Sequence, residues 1–307
     1  MRKKLLLSVA ALSLLAACTT GPSPSLLEAQ QLEQQRIIQE RLEAEAKYHE
    51  EQKRIRTEQA ERARLEAFKQ ELSDAGFFSV VDNAQNIQDE RYIFINIPSQ
   101  ILRVFENGQE VLRTRIIIGT EEQQTQIYTS RIWGVKLNPD WTVPPRGNIE
   151  RRYTQLIAEG KSQQLIEMGI HWRARRDGTL QFYQPSGEDN VVGMVKFEMS
   201  SRYNIYLHDT NRRDLFNLPE RTISNGCVRV EAWADLAGWL LGVESEKIIH
   251  MIQDPTMRTI PVNNIPVYMV YWTKELIDGK LVEWPDRYNK GNRSILDDLH
   301  FRPSSSS

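Results

Sequence analysis

A run of 47 residues without glycine or proline, Leu26–Leu72, constrains the fold of this chain more than any other feature. Glutamate, glutamine, arginine and alanine dominate the run, and all four are good helix formers. Glu43 and Lys47 are four residues apart in the order that stabilises a helix. The run therefore predicts one long charged α-helix, within an arm that we place at residues 26–75.

The predicted helix carries few apolar residues at the spacing of a coiled coil. Its best seam passes through Ile37, Tyr48 and Ile55, but Glu51 and Arg62 fall on the same seam. A tight coiled coil needs apolar residues at such positions. The pattern therefore favours a solvated arm that acts as a spacer and self-associates weakly at most.

The N-terminal segment MRKKLLLSVAALSLLAAC is typical of an exported protein. It has a basic start and an apolar run that is too short to span a bilayer. The ending LAAC resembles the lipobox of bacterial lipoproteins, which implies a signal peptide over residues 1–17 and lipidation of Cys18. Residues 18–25 would then form the lipidated N-terminus and linker. The alternative is an ordinary secretory signal with an incidental cysteine.

The resemblance to lipoproteins also implies a location. The position directly after Cys18 is Thr19 and not aspartate, which favours a lipid anchor in the outer membrane, on the periplasmic side of a Gram-negative cell. The full chain has 39 basic and 41 acidic residues, and removal of the signal would leave 36 and 41, a net charge of −5. A net negative chain of this kind lacks the excess of basic residues that is typical of nucleic-acid-binding proteins. The sequence has no CxxC, HExxH or Cys/His cluster, so we predict no metal and no cofactor.

Strand-like patterning begins near Arg91. The segments RYIFINIP and QILRVFENGQEVLRTRIIIG predict strands, with Asn107–Gly108 as a hairpin turn. The strand pattern continues in QIYTSRIWGVKLN, VVGMVKFEM, RYNIYLHDT and IPVYMVYW. We therefore predict a mostly β (α+β) domain over residues 88–275, followed by a C-terminal extension and tail over 276–307.

Two helical patterns interrupt the strands. Residues 141–185 contain the polar, helix-like sequence IERRYTQLIAEGKSQQLIEMG, which reads as an insertion between β segments. In VEAWADLAGWLLG, the apolar residues recur at helical spacing and Gly242 gives a stop. These apolar residues predict the buried face of a helix rather than a ligand site.

The stretch RTISNGCVRV contains Cys227, one of only two cysteines. If Cys18 is lipidated, Cys227 has no partner within the chain and is a candidate reactive thiol. His208 ends the strand-like run NIYLH, and a returning loop would let it serve Cys227 as a base. The alternative is a structural histidine and a small buried cysteine.

The neighbours of Cys227 fit a nucleophile. Gly226 permits a tight turn and would leave backbone N–H groups open toward an oxyanion. Arg229 points to the same side as Cys227 if the segment is extended, where it would bind a carboxylate or stabilise a thiolate. Otherwise it is a surface arginine. We expect the thiol to be more acidic than a free cysteine, whose pKa is about 8.5.

YLHDT followed by SNGCVRV resembles the active-site signature of the L,D-transpeptidases, the YkuD-domain enzymes that cross-link peptidoglycan. DWTVPPRGNIERRY and LFNLPERTISNGCVRVEAWADLAGWLL are similar to the larger branch of this family, which has a lid. The similarity covers roughly residues 90–290. It implies a YkuD-like β-sandwich or barrel with the lid at about 141–185. Asn225 stands where many members have histidine, but His208 and Cys227 are both present.

The resemblance implies a cysteine acyl-enzyme mechanism on peptidoglycan stem peptides. Cys227 would be the nucleophile and His208 the proton donor and acceptor. The terminal D-alanine of a tetrapeptide would leave, and an amine of a second stem would take the acyl group to give a 3-3 cross-link. A carbapenem would acylate the same thiol. The further candidates for loop support and substrate binding are Gly226, Ser224, Asn225, Arg229, Tyr206, Trp172 and Trp141.

The acyl acceptor stays open at the level of sequence. With water as acceptor the same site would make an L,D-carboxypeptidase or amidase, and with a protein lysine it would attach lipoproteins. A third alternative is a non-catalytic lipoprotein tether whose domain only binds peptidoglycan. Product analysis separates the three acceptors, which are a stem amine, water and a protein lysine, and replacement of Cys227 separates the tether from the enzyme.

Overall fold

The computed structural model describes residues 24–74, 87, 89–145, 147–201 and 203–291. The predicted signal segment, Cys18 with its predicted lipid, and the tail after residue 291 lie outside them and stay predictions. The chain divides into two compact units, Met1–Arg64 and Leu65–Ser307. Over the described part of the chain, we find no helix with the length and apolar character needed to cross a membrane.

The structure is mostly β, as predicted, with one long helix at its N-terminal end. The helices are α1 (Pro24–Asp74), α2 (Asn148–Ala158), α3 (Ser162–Glu167), α4 (Trp233–Leu241) and α5 (Ser245–Met251). The strands are β1 (Arg91–Asn96), β2 (Ile101–Glu106), β3 (Gln109–Gly119), β4 (Tyr128–Leu137), β5 (Trp141–Thr142), β6 (His171–Ala174), β7 (Leu180–Gln184), β8 (Val195–Met199), β9 (Leu207–His208), β10 (Thr222–Ser224), β11 (Val228–Val230), β12 (Arg258–Val270), β13 (Lys274–Ile277) and β14 (Lys280–Glu283).

The main sheet has nine strands in the order β10-β3-β11-β9-β8-β4-β12-β1-β2. Strand β2 also pairs with β3, so eight of these strands close into a barrel, and β10 pairs with the end of β3. Closure removes the free strand edges that an open sheet would expose. The predicted hairpin turn at Asn107–Gly108 is confirmed, since both residues have positive φ, 51° and 73°.

Strand β1 is buried along almost its whole length because its two faces are covered separately. Ile93 and Ile95 point into the main core of the barrel. Tyr92 and Phe94 belong to a second cluster on the outside of the barrel. This two-sided burial explains why RYIFINIP is nearly continuous in apolar residues rather than alternating.

The end of α1 contributes to that outer cluster, which also contains Phe105 and Trp272. Phe68 is 6% exposed and Leu72 is fully buried. Earlier in α1, by contrast, Leu42 is 56% exposed. The last turns of α1 are therefore part of the second compact unit, whereas the helix before Leu65 is solvated, as its charged sequence predicts.

We expect Leu72→Ala to lower the free energy of unfolding by about 2–5 kcal/mol, because it removes a fully buried side chain and leaves a cavity. The matched variant Leu42→Ala, in the same helix, should change it by no more than about 0.5 kcal/mol, since an exposed leucine loses little packing. Urea titration followed by tryptophan fluorescence measures both. Equal losses would contradict the assignment of this end of α1 to the core.

The insertion at 141–185 has more structure than its sequence predicted. Helices α2 and α3 confirm its helical character, but β5, β7 and β6 also form a three-stranded sheet of their own. A separate apolar cluster holds it together, with Val143, Leu165 and Phe182 fully buried. The sequence did not predict these strands, because each has only two to five residues and a period-two pattern cannot be recognised over so short a stretch.

Other elements differ from prediction mainly in length. The segment RYNIYLHDT forms only the two-residue strand β9. Strand β12 begins at Arg258, well before the predicted IPVYMVYW. Helix α4 is confirmed, and Gly242 ends it with a left-handed φ of 67°. Both short strands that carry the candidate site, β9 and β11, lie in the middle of the barrel wall.

Candidate active site

The pairing of β9 with β11 brings the candidate residues together. These strands are parallel, with Val228 beside Leu207 and Arg229 beside His208. One step earlier in the same register, the backbone N–H of Val228 donates to the carbonyl of Tyr206 over 3.0 Å. Because side chains alternate along a strand, Tyr206 and His208 share a face, as do Cys227 and Arg229.

These faces line one cavity of about 390 Å³. Most of the predicted site residues lie on its wall: Trp141, Tyr206, His208, Ser224, Asn225, Cys227 and Arg229. Trp172 does not lie on this wall and packs instead against the apolar core of the insertion. Its partner in register on β7 is Phe182, which belongs to that core, so the cavity gives no support to Trp172 as a substrate-binding residue, and that role stays a prediction.

Part of the cavity wall escaped sequence analysis. The additional lining residues are Pro144, Ile149, Val191, Val192, Tyr203 and Asn204. The Cys227 thiol donates to the carbonyl of Asn204 over 3.7 Å. The hydroxyl of Tyr128 donates to Ile205 O over 3.2 Å and holds this segment. The one available signal was the polar sequence RYN, which overlaps the start of the strand-like NIYLH at Asn204.

The turn Ser224–Cys227, which we call the nucleophile turn, is fixed from within. Gly226 has a φ of 104°, a conformation that glycine adopts without strain. Ser224 Oγ accepts the Gly226 N–H over 3.1 Å and donates to the carbonyl of Cys227 over 2.6 Å. Ser224 therefore supports the turn, whereas Asn225 is exposed at the cavity wall.

These bonds correct one expectation. The N–H of Gly226 is not open toward an oxyanion, because Ser224 takes it. Within the described part of the chain, the backbone N–H of Cys227 has no acceptor. Of the Gly226 and Cys227 amides, only that of Cys227 is therefore available to a developing negative charge.

The second correction concerns the thiol itself. Burial raises the pKa of Cys227 above its ordinary value. Hydrogen bonding from Tyr206 and the positive charges of Lys196 and Arg229 lower the pKa, but they do not outweigh burial. The expected acidic thiol is therefore wrong for the resting protein, in which Cys227 is protonated at neutral pH.

His208 is the complementary group. Burial lowers its pKa to about 3, and the positive charge of Arg229 acts in the same direction. The backbone of Asp209 and of Val192 opposes the shift, but no well-aligned hydrogen bond reaches Nδ1 in the described residues. His208 is 5% exposed and neutral at physiological pH, which leaves it able to accept a proton.

Tyr206 contacts both groups. The ring centroid of Tyr206 lies 5.4 Å from that of His208. Lys196, on the neighbouring strand β8, places its Nζ 4.4 Å from the Tyr206 ring centroid. Burial, followed by the proximity of Cys227, raises the pKa of Tyr206 far above its ordinary value. Tyr206 therefore remains a protonated donor at every pH at which the protein would work.

Arg229 is the cationic group of the cavity with an unused donor. Its Nε is buried and has no hydrogen-bond partner in the described residues. Burial lowers the pKa of Arg229, but a guanidinium still stays charged in proteins. A buried charged donor without a partner is costly unless a ligand supplies the acceptor. The geometry thus fits an anionic group, and a carboxylate would match the guanidinium fork.

The buried, neutral His208 gives a prediction for stability against pH. The unfolded chain protonates this histidine below pH about 6.5, whereas the folded chain does so only near its pKa of about 3. Between these values the unfolded state binds more protons, so the contribution of His208 lowers the free energy of unfolding as pH falls. The slope of this contribution is at most about 1.4 kcal/mol per pH unit.

His208→Gln removes the titrating group, so its unfolding free energy should fall less steeply than that of the wild type from pH 6.5 to 4. Urea unfolding at four pH values in this window measures the two slopes. His171→Gln, which makes the same change at an exposed position of β6, should keep the wild-type slope. A parallel pair of curves for wild type and His208→Gln would show that His208 is not held neutral.

No group of three or more His, Cys, Asp or Glu side chains in the described ranges is arranged to hold a metal ion. Separately, the cavity wall carries Cys227, His208, Tyr206 and Arg229. Together they offer a nucleophile, a neutral base, a hydrogen-bond donor and a cation, a set that suits acyl transfer.

Comparison with known proteins identifies the family of this domain. The family model of the YkuD L,D-transpeptidase catalytic domain matches residues 90–268. A putative L,D-transpeptidase from Haemophilus influenzae is 29% identical over 226 residues, which cover 68% of this chain and 46% of that protein. The match thus spans less than half the length of this curated relative.

Two solved structures show the level of structural similarity. Mycobacterium tuberculosis L,D-transpeptidase 1 is 14% identical, with a TM-score of 0.29 over 59% of this chain and 62% of the other. The catalytic domain of the E. faecium L,D-transpeptidase acylated by ertapenem is 13% identical, with a TM-score of 0.29 over 60% and 98%. TM-scores this low are no evidence for family membership, which rests instead on the match to the family model. Since it covers more than half of the sequence, this chain belongs to the YkuD L,D-transpeptidase catalytic-domain family.

Proposed function

We propose that this protein is a peptidoglycan L,D-transpeptidase with Cys227 as its nucleophile. The observation that carries the proposal is the register of β9 with β11, which places His208, Tyr206 and Arg229 around Cys227 on one cavity. The substrate would be a tetrapeptide stem, and the product a 3-3 cross-link between two stems. This choice follows from family membership together with the chemistry of the cavity.

In the first half-reaction, His208 accepts the thiol proton as Cys227 Sγ attacks the carbonyl carbon before the terminal D-alanine. A C–S bond forms and the C–N bond breaks. The departing D-alanine amine takes the proton from the imidazolium, which returns His208 to its neutral form. Since the thiol and the imidazole are both neutral at rest, transfer accompanies attack and no ion pair precedes it.

In the second half-reaction, an amine of another stem attacks the thioester. Its nitrogen forms the new amide, the C–S bond breaks, and His208 carries the amine proton to the departing thiolate. The thioester conserves the free energy of the cleaved amide, so no nucleotide is needed. Both half-reactions pass through a tetrahedral oxyanion, which the backbone N–H of Cys227 would bind; its lack of an acceptor among the described residues supports this role.

Tyr206 assists as a donor. Because its pKa is strongly raised, its hydroxyl keeps its proton and can stabilise negative charge on Cys227 Sγ. It cannot compete with His208 for the thiol proton at neutral pH. The roles of the two residues follow from the opposite directions in which the cavity moves their pKa values.

Arg229 would bind the carboxylate of the terminal D-alanine or of the stem side chain. Its unpartnered Nε supports this role, because a carboxylate would satisfy a donor that is otherwise buried alone. Burial is the main cause of the lowered His208 pKa, and the carboxylate would offset the second cause, the positive charge of Arg229. Substrate binding would thereby make His208 a stronger base at the moment of attack.

The insertion would act as a lid. Trp141, Pro144 and Ile149 contribute apolar surface to the cavity from this segment, and Val191 and Val192 follow it. Apolar walls exclude water from the thioester, which favours an amine acceptor over hydrolysis. The lid is thus the feature that supports transpeptidation above simple removal of D-alanine.

The deciding experiment is mass spectrometry of purified disaccharide tetrapeptides after incubation with the protein. Dimers that have lost one D-alanine would establish transpeptidation. Disaccharide tripeptides alone would show hydrolysis and overturn the amine acceptor. An unchanged substrate, together with no carbapenem adduct on Cys227 in a folded sample, would overturn the enzyme in favour of a peptidoglycan-binding tether.

A further inference from the structure

The nucleophile turn rests on a second loop from a distant part of the chain. This loop, Gly119–Thr125, is the supporting loop. Thr125 Oγ1 donates to the carbonyl of Gly226 over 2.9 Å, and Thr120 N–H donates to the carbonyl of Ser224 over 3.0 Å. The turn that presents Cys227 is therefore attached through the backbone oxygens on both sides of Asn225.

The two loops approach so closely that Gly119 can carry no side chain. A Cβ built on Gly119 would lie 1.9 Å from the carbonyl oxygen of Gln123 and 2.9 Å from Cα of Gly226. These partners are backbone atoms, which cannot yield as a flexible side chain would. Any change in the shape of the supporting loop must therefore move the nucleophile turn.

One phenol joins the two ends of the supporting loop. The hydroxyl of Tyr288 donates to the carbonyl of Gly119 over 2.8 Å and accepts the N–H of Thr125 over 3.2 Å. Thr125 Oγ1 in turn accepts the N–H of Gly119 over 3.0 Å. A continuous path of hydrogen bonds thus runs from Tyr288 through Thr125 to the carbonyl of Gly226, next to the nucleophile.

Tyr288 is held firmly where it makes these bonds. It is 3% exposed, and its ring stacks on Tyr271 with centroids 5.6 Å apart. Its backbone N–H donates to the Tyr271 hydroxyl over 2.7 Å, and that hydroxyl donates to Asp286 over 2.6 Å. The next residue back, Arg287, donates to the carbonyl of Pro98 over 2.7 Å. The segment therefore presents the phenol from a rigid site.

Tyr288 lies 20 residues beyond the part of the chain that matches the family model, which ends at residue 268. We propose that Tyr288 is a positioning residue for Cys227: its hydroxyl sets the shape of the supporting loop and, through Thr125, the position of the nucleophile turn. The segment after β14 would then be a working part of the active site. The inference rests on the proposed function only in taking Cys227 as the nucleophile.

The test is Tyr288→Phe in the full chain, which keeps the ring in the core and removes only the hydroxyl. Two reactions are followed: D-alanine release from tetrapeptide, and alkylation of Cys227 by iodoacetamide, resolved to that residue by peptide mass spectrometry. Loosening the turn should slow peptide acylation about tenfold through kcat, with KM within a factor of two. It should also speed alkylation at neutral pH, since a less buried thiol ionises more easily.

The controls separate positioning from general loss of stability. Tyr268→Phe removes a half-buried hydroxyl that is bonded to Asp89, away from the cavity wall, and both rates should stay within a factor of two of wild type. Thr125→Val should reproduce Tyr288→Phe, whereas Thr125→Ser, which retains the hydroxyl, should restore wild-type rates. The double variant Tyr288→Phe/Thr125→Val should be little worse than either single one.

The proposal is overturned if Tyr288→Phe and Tyr268→Phe behave alike, or if Tyr288→Phe leaves both reactions at wild-type rates. It is also overturned if Thr125→Ser is as impaired as Thr125→Val. Should the wild type fail to turn over tetrapeptide, the proposed function fails, but the alkylation rates of the same variants still decide the role of Tyr288.

Discussion

Cys227→Ser is expected to lower the rate of acyl transfer by at least about 10³-fold, because it replaces the nucleophile and leaves only binding and the oxyanion site. Serine matches cysteine closely in size, so the turn held by Ser224 and Gly226 should keep its shape. A serine hydroxyl is much harder to ionise than a thiol, and the His208 imidazole is too weak a base to compensate. D-Alanine release from tetrapeptide gives the rate.

The matched control is Cys18→Ser, which makes the same substitution at the only other cysteine. It should leave the rate in detergent solution unchanged. A carbapenem offers an independent readout, since the resemblance to L,D-transpeptidases implies a single adduct, on Cys227. An adduct that survives in Cys227→Ser, or a rate within tenfold of wild type, would remove Cys227 from the mechanism.

His208→Gln should slow acylation by about 10²- to 10⁴-fold, the usual loss when a general base is removed. Burial keeps the Cys227 pKa above its ordinary value, so little thiolate forms at neutral pH without a base in the cavity. No other described wall residue replaces the imidazole, because Tyr206 keeps its proton and Arg229 is a cation. The rate constant for carbapenem acylation under single-turnover conditions measures the loss.

The pH profile distinguishes this account from a preformed ion pair. In the wild type, His208 is neutral above its pKa of about 3, and the thiol stays protonated past its ordinary value. The second-order rate of acylation should therefore be flat from pH 5 to 8. In His208→Gln it should rise about tenfold per pH unit, since only free thiolate reacts. An acid limb between pH 6 and 7 in the wild type would show that the resting imidazole titrates normally.

His171→Gln completes the comparison. His171 lies on β6 in the insertion, is exposed, and is not on the cavity wall. The substitution should leave the rate and its pH profile unchanged. If His171→Gln lowered the acylation rate as much as His208→Gln, the insertion, and not the base, would control acylation.

The sequence alone was enough for the elements whose causes are local. The run without glycine or proline at Leu26–Leu72 predicted helix α1, because helix propensity sums over neighbouring residues. Asn107–Gly108 predicted the first hairpin, because a tight turn needs positive φ at both positions. Trp233–Gly242 predicted α4 through helical spacing and a glycine stop. Each of these signals lies within a few residues of its effect.

The candidate site residues His208 and Cys227 were also proposed from sequence, through YLHDT and SNGCVRV. The chemistry of the site did not follow from sequence. The thiol was expected to be acidic, yet the structure raises its pKa because strands far apart in the chain enclose it. Trp172 was expected in the cavity, yet pairing of β6 with β7 turns it toward the core of the insertion. Ser224 proved to close off the Gly226 amide.

The features that only the tertiary structure decided are contacts between residues far apart in the sequence. Strands β9 and β11 have two and three residues, too few for a pattern, and they exist because the closed barrel pairs them. Tyr288 reaches Gly119 across 169 residues of sequence, and Thr125 reaches Gly226 across 101. Local propensity cannot encode such contacts, since they depend on which surfaces the folded barrel brings together. Burial and its effect on pKa follow from the same packing, and so they too appear only in the folded chain.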